Sequence, residues 1–206
     1  MSVALWVLAA YLLGAVPASY LAGRLRGIDL RRHGSRNLGA TNVYRVLGWT
    51  YAIPVVLFDV GKGAVAVALL GRWAPGPDWL PVTLGAAAVV GHVFSPFVGF
   101  KGGKGVATAT GMFLALAPLA VLIAIPVWAV CLRLTGYVSL SSMVAATSFP
   151  LWVALTTRDA RPTLIASIAL AAMIVYTHRS NVRRLLAGTE NRFGTRRAGA
   201  GERYTG

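Results

Sequence analysis

A glycine-rich segment with two lysines, FKGGKGVAT (100–108), separates two long apolar runs of the chain. We predict that Gly102, Gly103 and Gly105 let the backbone take positive φ and expose successive N–H groups. Lys104 lies among them and a helix is expected to start directly afterwards, which is how proteins build an anion site. The segment is not a nucleotide P-loop, because Gly105 stands where that motif needs Ser or Thr to hold magnesium. The alternative is that the glycines only allow a tight re-entry of the chain into a membrane.

Two other polar segments could act with this one. The first, HGSRNLGATNVYR (33–45), is rich in small, amide and hydroxyl side chains, and on its own is equally typical of a turn-rich loop. The second, THRSNVRRLLAGTENRFG (177–194), follows the last apolar run, and in a helix its His178 and Asn181 share one face. Taken alone, that pair is more typical of a solvated helix end than of a site. Three such segments meeting at one place would favour a binding site.

The elements that must position these segments are membrane helices. The chain has 206 residues, 56% of them hydrophobic, and this composition lies outside the range of ordinary soluble domains. A spanning helix needs about 20 apolar residues. The first run has no basic residue before it and no clear small-residue cleavage site after it, so we expect it to remain as a span. The runs without charge are 1–23, 79–100, 106–132, 134–157 and 162–177, and 51–71 forms one more with two internal charges.

The formal charge of +14 could suggest a nucleic-acid-binding protein, but its position argues against that class. Six arginines lie between Arg24 and Arg45 and seven more between Arg179 and Arg203, so the charge flanks the apolar runs. Such flanking charge is typical of cytoplasmic segments. We therefore expect a lipid bilayer as partner and no nucleic acid.

Counting spans from this charge gives a seven-helix topology. If 24–45 is cytoplasmic, the N-terminus lies outside and the third span returns to the cytoplasm at Lys101 and Lys104. One long helix over 106–132 would place the arginine-rich tail outside, whereas two short spans bent near Pro118 return it to the cytoplasm, and we prefer the second count. We expect an all-α integral membrane protein, a single domain over 1–206 with a mobile tail from about residue 195.

Other side chains with chemical potential receive simpler interpretations. Asp59 and Lys62 lie on one face of the second span and can form a buried ion pair, with a structural or a functional role. His92 is interpreted as a hydrogen-bonded histidine of the bundle. No cluster of His, Cys, Asp and Glu has a metal-ligand spacing, so no metal or cofactor is expected. The single Cys131 lies in an apolar run away from the polar segments, and no Ser-His-Asp spacing is evident, which disfavours a covalent acyl-enzyme.

Together the three polar segments resemble the motifs of the bacterial acyl-phosphate-dependent glycerol 3-phosphate acyltransferase family. The similar stretches are GSRNLGATNVYR, GHVFSPFVGFKGGKGVAT and HRSNVRRLLAGTENR, in the family's order and over nearly the whole chain. Two positions depart from the pattern: Arg36 stands where the family usually has glycine, and Leu38 where Pro or Ile is common. Arg36 could stiffen the loop or add a phosphate contact.

The resemblance implies a multi-pass enzyme of the bacterial inner membrane with its site facing the cytoplasm. Such an enzyme transfers a fatty acyl group from acyl phosphate to the 1-hydroxyl of glycerol 3-phosphate and releases 1-acylglycerol 3-phosphate (lysophosphatidic acid) and phosphate. This is the first acylation of phospholipid synthesis, and a transient contact with the soluble enzyme that makes acyl phosphate is expected.

The resemblance also implies the residues of the site. Arg45 and Lys104 would contact phosphate oxygens, and either His178 or the departing phosphate would accept the proton. The residues expected to hold glycerol 3-phosphate and carry catalysis are Ser35, Arg45, Lys104, His178 and Asn181. Those expected to bind substrate, chiefly acyl phosphate, are Gly34, Asn37, Gly39, Thr41, Asn42, Gly102, Gly103 and Gly105.

Two other classes remain open from the residues alone. A small transporter for an organic anion would place the glycine-broken cationic segment in a cavity, but no repeat is detectable in the chain. A membrane-anchored protein whose basic tails bind anionic lipid would leave the glycine-lysine segment unexplained.

Overall fold

The computed structural model describes residues 2–157 and 161–194, and this part of the chain is all helical without a strand. The predicted all-α class is therefore confirmed. The predicted mobile tail lies outside the described residues. The described part of the chain includes a π-helical turn at Ala66–Leu70 and a short 3-10 helix at Pro96–Val98. The helices are α1 (Val3–Ala15), α2 (Ala18–Arg24), α3 (Ala40–Leu47), α4 (Trp49–Val65), α5 (Gly71–Trp73), α6 (Leu80–Val93), α7 (Val106–Leu116), α8 (Pro118–Thr135), α9 (Val138–Thr156), α10 (Arg161–Thr177) and α11 (Arg179–Leu186).

Several of these helices are long enough to cross a membrane. Over the described ranges there are five such stretches, or six if α10 and α11, which meet at a bend of 54°, form one span. Helix α7 has 11 residues, fewer than the ~20 that a span requires. The count of seven spans and the orientation stay predictions. The five stretches are Val3–Arg24, Trp49–Trp73, Leu80–Val98, Pro118–Thr135 and Val138–Thr156.

The break that we predicted near Pro118 is present. Helix α7 ends at Leu116, and α8 begins with Pro118 as its first residue. Proline is tolerated at the first position of a helix, because the N–H group that it lacks would have no intrahelical hydrogen-bond partner there. The run 106–132 is thus two helices rather than one long tilted span.

Small residues let the helices pack closely. A Cβ added at Gly14 of α1 would lie 2.0 Å from the carbonyl oxygen of Ala88 on α6. Between α4 and α7, a Cβ at Gly111 would lie 1.8 Å from the carbonyl oxygen of Val60. Close backbone approach of this kind is how helices associate in lipid, where the hydrophobic effect gives little drive. The α4–α7 contact fixes the start of α7 against the bundle.

Candidate active site

The segment that precedes α3 is held in shape by one buried asparagine. The side-chain oxygen of Asn42 accepts a hydrogen bond from the Ser35 N–H at 2.8 Å, and its nitrogen donates to the carbonyl oxygens of Leu30 (3.2 Å) and His33 (3.1 Å). We expected Asn42 to contact substrate, but its amide is committed to the loop. Gly34 also has a structural task, since its φ is +60° and a Cβ there would lie 2.2 Å from the Asn42 oxygen.

The glycine-lysine segment is built differently from our prediction. Only Gly105 of its three glycines takes positive φ (+88°), and it is the N-cap of α7. The N–H of Gly102 donates to the Val93 carbonyl (2.9 Å) and that of Gly103 to the His92 carbonyl (3.1 Å). The prediction that Gly102 and Gly103 take positive φ and expose their N–H groups is therefore wrong. They are glycines because the backbone lies directly against the end of α6.

Lys104 reaches from this segment to the third one. Its ammonium group donates to the side-chain oxygen of Asn181 at 2.5 Å, and its carbonyl accepts from the Thr177 hydroxyl at 3.1 Å. Arg45 of α3 donates to the carbonyl oxygen of Asn191 at 3.3 Å. The three polar segments, far apart in sequence, therefore meet at one place.

His178 lies at the bend between α10 and α11, buried with 3% exposure. Its Nδ1 lies 2.7 Å from the carbonyl oxygen of Ile174, which can only accept, so Nδ1 carries the proton of this hydrogen bond. In the neutral ring Nε2 is then left as an acceptor. The geometry makes His178 able to take a proton or to accept a hydrogen bond.

Glu190, which sequence reasoning missed, organises this side of the site. Its Oε1 accepts from the Asn181 side-chain nitrogen (2.7 Å) and the Ser139 hydroxyl (2.8 Å), and its Oε2 pairs with Arg184 Nε (2.6 Å). Burial opposes ionisation of Glu190, but the hydrogen bonds from Asn181, Ser139 and Arg184 outweigh it and lower the pKa. The carboxylate thus fixes the amide whose oxygen holds Lys104.

The electrostatics of the site centre on Lys104. Burial lowers the pKa of its ammonium group from 10.5 to about 8. The Glu190 carboxylate acts in the opposite direction and raises this pKa, whereas the positive charges of Arg184 and Arg45 lower it further. A bound anion would favour the charged form and raise this pKa again. Among residues 2–157 and 161–194 no carboxylate forms an ion pair with the Lys104 ammonium group, so this cation is suited to receive an anion.

These residues open onto a cavity of about 380 Å³. Val106 and Phe113 on α7 both line it, and seven residues of helix place them roughly 10 Å apart along the axis. Ser167 of α10 and His178, directly after the end of that helix, both line it and lie roughly 16 Å apart on the same reckoning. The cavity therefore runs from a polar end into an apolar slot, whose walls include Val60, Ala109, Phe113, Val121, Ala124, Ile125, Trp128, Ala146, Phe149 and Leu170.

Two helix N-termini face the polar end. Gly39, Ala40 and Thr41, at the start of α3, line the cavity, as do Gly105 and Val106 at the start of α7. Neither N-terminus has a side-chain cap. The first N–H groups of a helix have no intrahelical partner, and they attract anions. Arg45 and Lys104 line the same cavity, so two helix N-termini and two cations are available there to phosphate groups.

Most of the predicted site residues come together here. Within residues 2–157 and 161–194, no hydrogen-bond partner is found for the side chains of Ser35, Asn37 and Thr41, which leaves them available to a ligand. Gly34, Gly102 and Gly103 do not line the large cavity. Those that do are Ser35, Asn37, Gly39, Thr41, Asn42, Arg45, Lys104, Gly105, His178 and Asn181.

Some lining residues were missed or given another role. Ser139 and Glu190 belong to the polar end, and no local motif marks either, because their contact joins positions 51 residues apart. The Asp59–Lys62 ion pair is confirmed at 2.7 Å. His92, interpreted as a bundle histidine, accepts a hydrogen bond from Lys62 at 2.9 Å and also reaches the cavity wall.

The fold and the cavity define a class: an integral membrane protein with a cavity that joins a polar, cationic end to an apolar slot. The profile of the family described as glycerol-3-phosphate acyltransferase matches residues 4–188. The chain is 45% identical to the glycerol-3-phosphate acyltransferase of Geobacter sulfurreducens, over 89% of this chain and 94% of that protein. It is 47% identical to that of Trichlorobacter lovleyi, over 91% and 96%.

Solved structures agree with these relatives. The chain resembles the crystal structure of PlsY, an integral membrane glycerol 3-phosphate acyltransferase, in its glycerol 3-phosphate form, with a TM-score of 0.85, 40% identity, and coverage of 95% of this chain and 97% of that one. The lysophosphatidic acid form of PlsY gives a TM-score of 0.86 at 38% identity, with the same coverage. This chain belongs to the glycerol-3-phosphate acyltransferase family and is a membrane acyltransferase of lipid biosynthesis.

Proposed function

We propose that this enzyme transfers a fatty acyl group from acyl phosphate to the 1-hydroxyl of glycerol 3-phosphate. The products are 1-acylglycerol 3-phosphate and inorganic phosphate, and the step is the first acylation of phospholipid synthesis. The observation that carries the proposal is the set of two helix N-termini and two cations, Arg45 and Lys104, at the head of one apolar slot. Two phosphate groups and one acyl chain are what the two substrates bring together.

The arrangement supports a division of labour between the two anion sites. Lys104, Asn181, His178, Ser35 and Arg45 hold glycerol 3-phosphate with its 1-hydroxyl directed at the acyl carbonyl. The start of α3, with Asn37, Gly39 and Thr41, holds acyl phosphate, while the start of α7 at Gly105 adds N–H donors. Gly34, Asn42, Gly102 and Gly103 act indirectly, because they shape the two loops.

The chemistry needs no covalent enzyme intermediate. The 1-hydroxyl oxygen bonds to the acyl carbon, the bond from that carbon to the phosphate oxygen breaks, and phosphate leaves with the electron pair. The proton passes to His178 Nε2 or to the departing phosphate. Positioning of two bound substrates and stabilisation of charge by the N–H groups and cations supply the rate enhancement.

The proposal includes a setting for the enzyme. The chain is a single domain with seven spans in the bacterial inner membrane, its N-terminus outside and its site at the cytoplasmic face, where the arginine-rich segments 24–45 and 179–203 lie. Glycerol 3-phosphate enters from the cytoplasm, and a transient contact with the soluble enzyme that makes acyl phosphate delivers the second substrate. No nucleic acid takes part.

The test is an assay of the purified protein in detergent or in a lipid phase. Phosphate release should require both acyl phosphate and glycerol 3-phosphate, and lysophosphatidic acid should form in equal amount. An acyl thioester supplied in place of acyl phosphate should give no product. Activity with the thioester, or phosphate release without glycerol 3-phosphate, would contradict the proposed donor or acceptor. Flux of an anion into liposomes without any chemistry would support a transporter instead.

A further inference from the structure

A buried charged triad lies behind the glycine-lysine segment. Asp59 and Lys62 of α4 and His92 of α6 are each less than a tenth exposed. The Lys62 ammonium lies 2.7 Å from Asp59 Oδ1 and donates to His92 Nδ1 at 2.9 Å and to the Val16 carbonyl at 3.1 Å. The lysine therefore hydrogen bonds to the His92 ring and to the Val16 carbonyl and pairs its charge with Asp59, and it fixes which ring nitrogen of His92 accepts.

The imidazole of His92 is pressed against the glycine backbone. A Cβ added at Gly103 would lie 2.1 Å from His92 Nε2, and one at Gly102 would lie 2.0 Å from the His92 carbonyl oxygen. The same carbonyl accepts the Gly103 N–H. His92 thus contacts the residue directly before Lys104 both through its backbone and through its ring.

We propose that Asp59, Lys62 and His92 are positioning residues that set the place of the Lys104 ammonium group. The triad orients the His92 ring, the ring and carbonyl set Gly103, and Gly103 sets where the side chain of Lys104 leaves the backbone. This proposal rests on the proposed function, in which Lys104 binds the phosphate of glycerol 3-phosphate. Burying two charges in a bundle is costly when apolar residues of similar size could pack there, so packing alone does not explain the triad.

The central test removes both charges together. In the double variant Asp59→Leu, Lys62→Met no buried charge is left unpaired, so the bundle is expected to fold. The KM for glycerol 3-phosphate should rise by about tenfold or more, the loss expected for a misplaced charge-assisted contact. The KM for acyl phosphate should stay within about twofold of the original, because within residues 2–157 and 161–194 no hydrogen bond or ion pair joins the triad to Asn37, Gly39 or Thr41.

A pair of histidine variants separates the ring's two contacts. His92→Asn keeps an acceptor near the Nδ1 position for Lys62 and should recover part of the glycerol 3-phosphate affinity that His92→Leu loses.

Thr163→Val is the matched control, because Thr163 is also buried but lies near the far end of α10 and does not line the cavity. It should leave both KM values unchanged.

The kinetic pattern decides between positioning and mere stability. A purely structural role would lower the active fraction and hence the apparent kcat, with both KM values unchanged, and that result would overturn the proposal. A second readout is calorimetric binding of glycerol 3-phosphate without acyl donor, where the double variant should bind about tenfold more weakly. Equal binding by the double variant and the original chain would also overturn it. If the original chain binds glycerol 3-phosphate but forms no product, the proposed reaction fails while this binding test still decides the role of the triad.

Discussion

Raising the pH above about 8 should weaken glycerol 3-phosphate binding through Lys104. Burial lowers the pKa of its ammonium group to about 8. The phosphate of the substrate is a dianion above pH ~6. The cation and the dianion therefore coexist between pH ~6 and ~8, and above that range the lysine loses its proton and the main attraction for the phosphate.

The size of the effect follows from the titration. With a pKa of about 8, roughly nine-tenths of Lys104 is charged at pH 7 and roughly one-tenth at pH 9. If the neutral amine binds no phosphate, KM for glycerol 3-phosphate rises about tenfold between pH 7 and pH 9. The assay is the initial rate of lysophosphatidic acid formation at saturating acyl phosphate across that range.

Titration of Lys104 does not unfold the protein over this pH range, so unfolding through this residue cannot explain a rise in KM. The native pKa of Lys104 lies below its ordinary value of 10.5, so the unfolded chain binds more protons between pH ~8 and ~10.5. This group therefore makes the free energy of unfolding rise with pH over the interval in which substrate binding falls.

Two variants sharpen the test. Lys104→Arg keeps a positive charge at pH 9, so its KM should stay nearly flat over the range whatever its starting value. Glu190→Gln removes a carboxylate that raises the Lys104 pKa, so its KM should begin to rise at a lower pH than in the original chain. The reasoning is refuted if the original KM is constant from pH 7 to 9, or if Lys104→Arg shows the same rise.

Three further substitutions probe the loops and the chemistry. Gly103→Ala should reduce activity at least about tenfold, because the new Cβ forces the backbone away from His92 Nε2. Gly61→Ala, assayed beside it, should leave turnover unchanged, because a Cβ at position 61 meets nothing within 4 Å. Arg36→Gly should raise the free energy of unfolding by roughly 0.5 kcal/mol. Arg36 has a φ of +60°, which glycine adopts without strain, but the greater flexibility of glycine in the unfolded chain offsets part of this gain. A lower melting temperature for the variant would contradict this prediction. Cys131→Ala should keep its turnover rate, and an inactive but folded variant would support a covalent route through the thiol.

The sequence predicted the parts of this fold that depend on local pattern. Long apolar runs predict helices, a proline after a run predicts a break, and the break at Pro118 is where the pattern placed it. A glycine followed by a fresh apolar run predicted the start of α7 directly after Gly105. Charges three residues apart on one helix face predicted the Asp59–Lys62 pair, since such spacing brings side chains together.

Features that depend on tertiary contact could not be predicted. Glycine serves both positive φ and close approach, and only the position of α6 shows that Gly102 and Gly103 serve the second. Glu190 is one acid in an arginine-rich segment, and no sequence pattern links it to Ser139 and Asn181, which lie beside it in the fold. Position 36, where the family usually has glycine, is explained in the same way by the fold: its backbone has a φ of +60°, which glycine adopts most easily.

The shortness of α7 fits the chemistry better than a full span would. A helix long enough to cross the membrane would place its N-terminal N–H groups in water, where the high dielectric constant weakens their attraction for an anion. Helix α7 instead begins at Val106, directly after the buried Gly105. Within a membrane protein, non-helical backbone such as the segment before it is tolerated only where it lines a cavity or is covered by protein. Its 11 residues end where Pro118 starts a new helix, and its first turn lies beside Lys104 at the head of an apolar slot. In the proposed function, the chain thereby brings a helix end that attracts anions to the head of the slot, where a water-soluble phosphate and an acyl chain would meet.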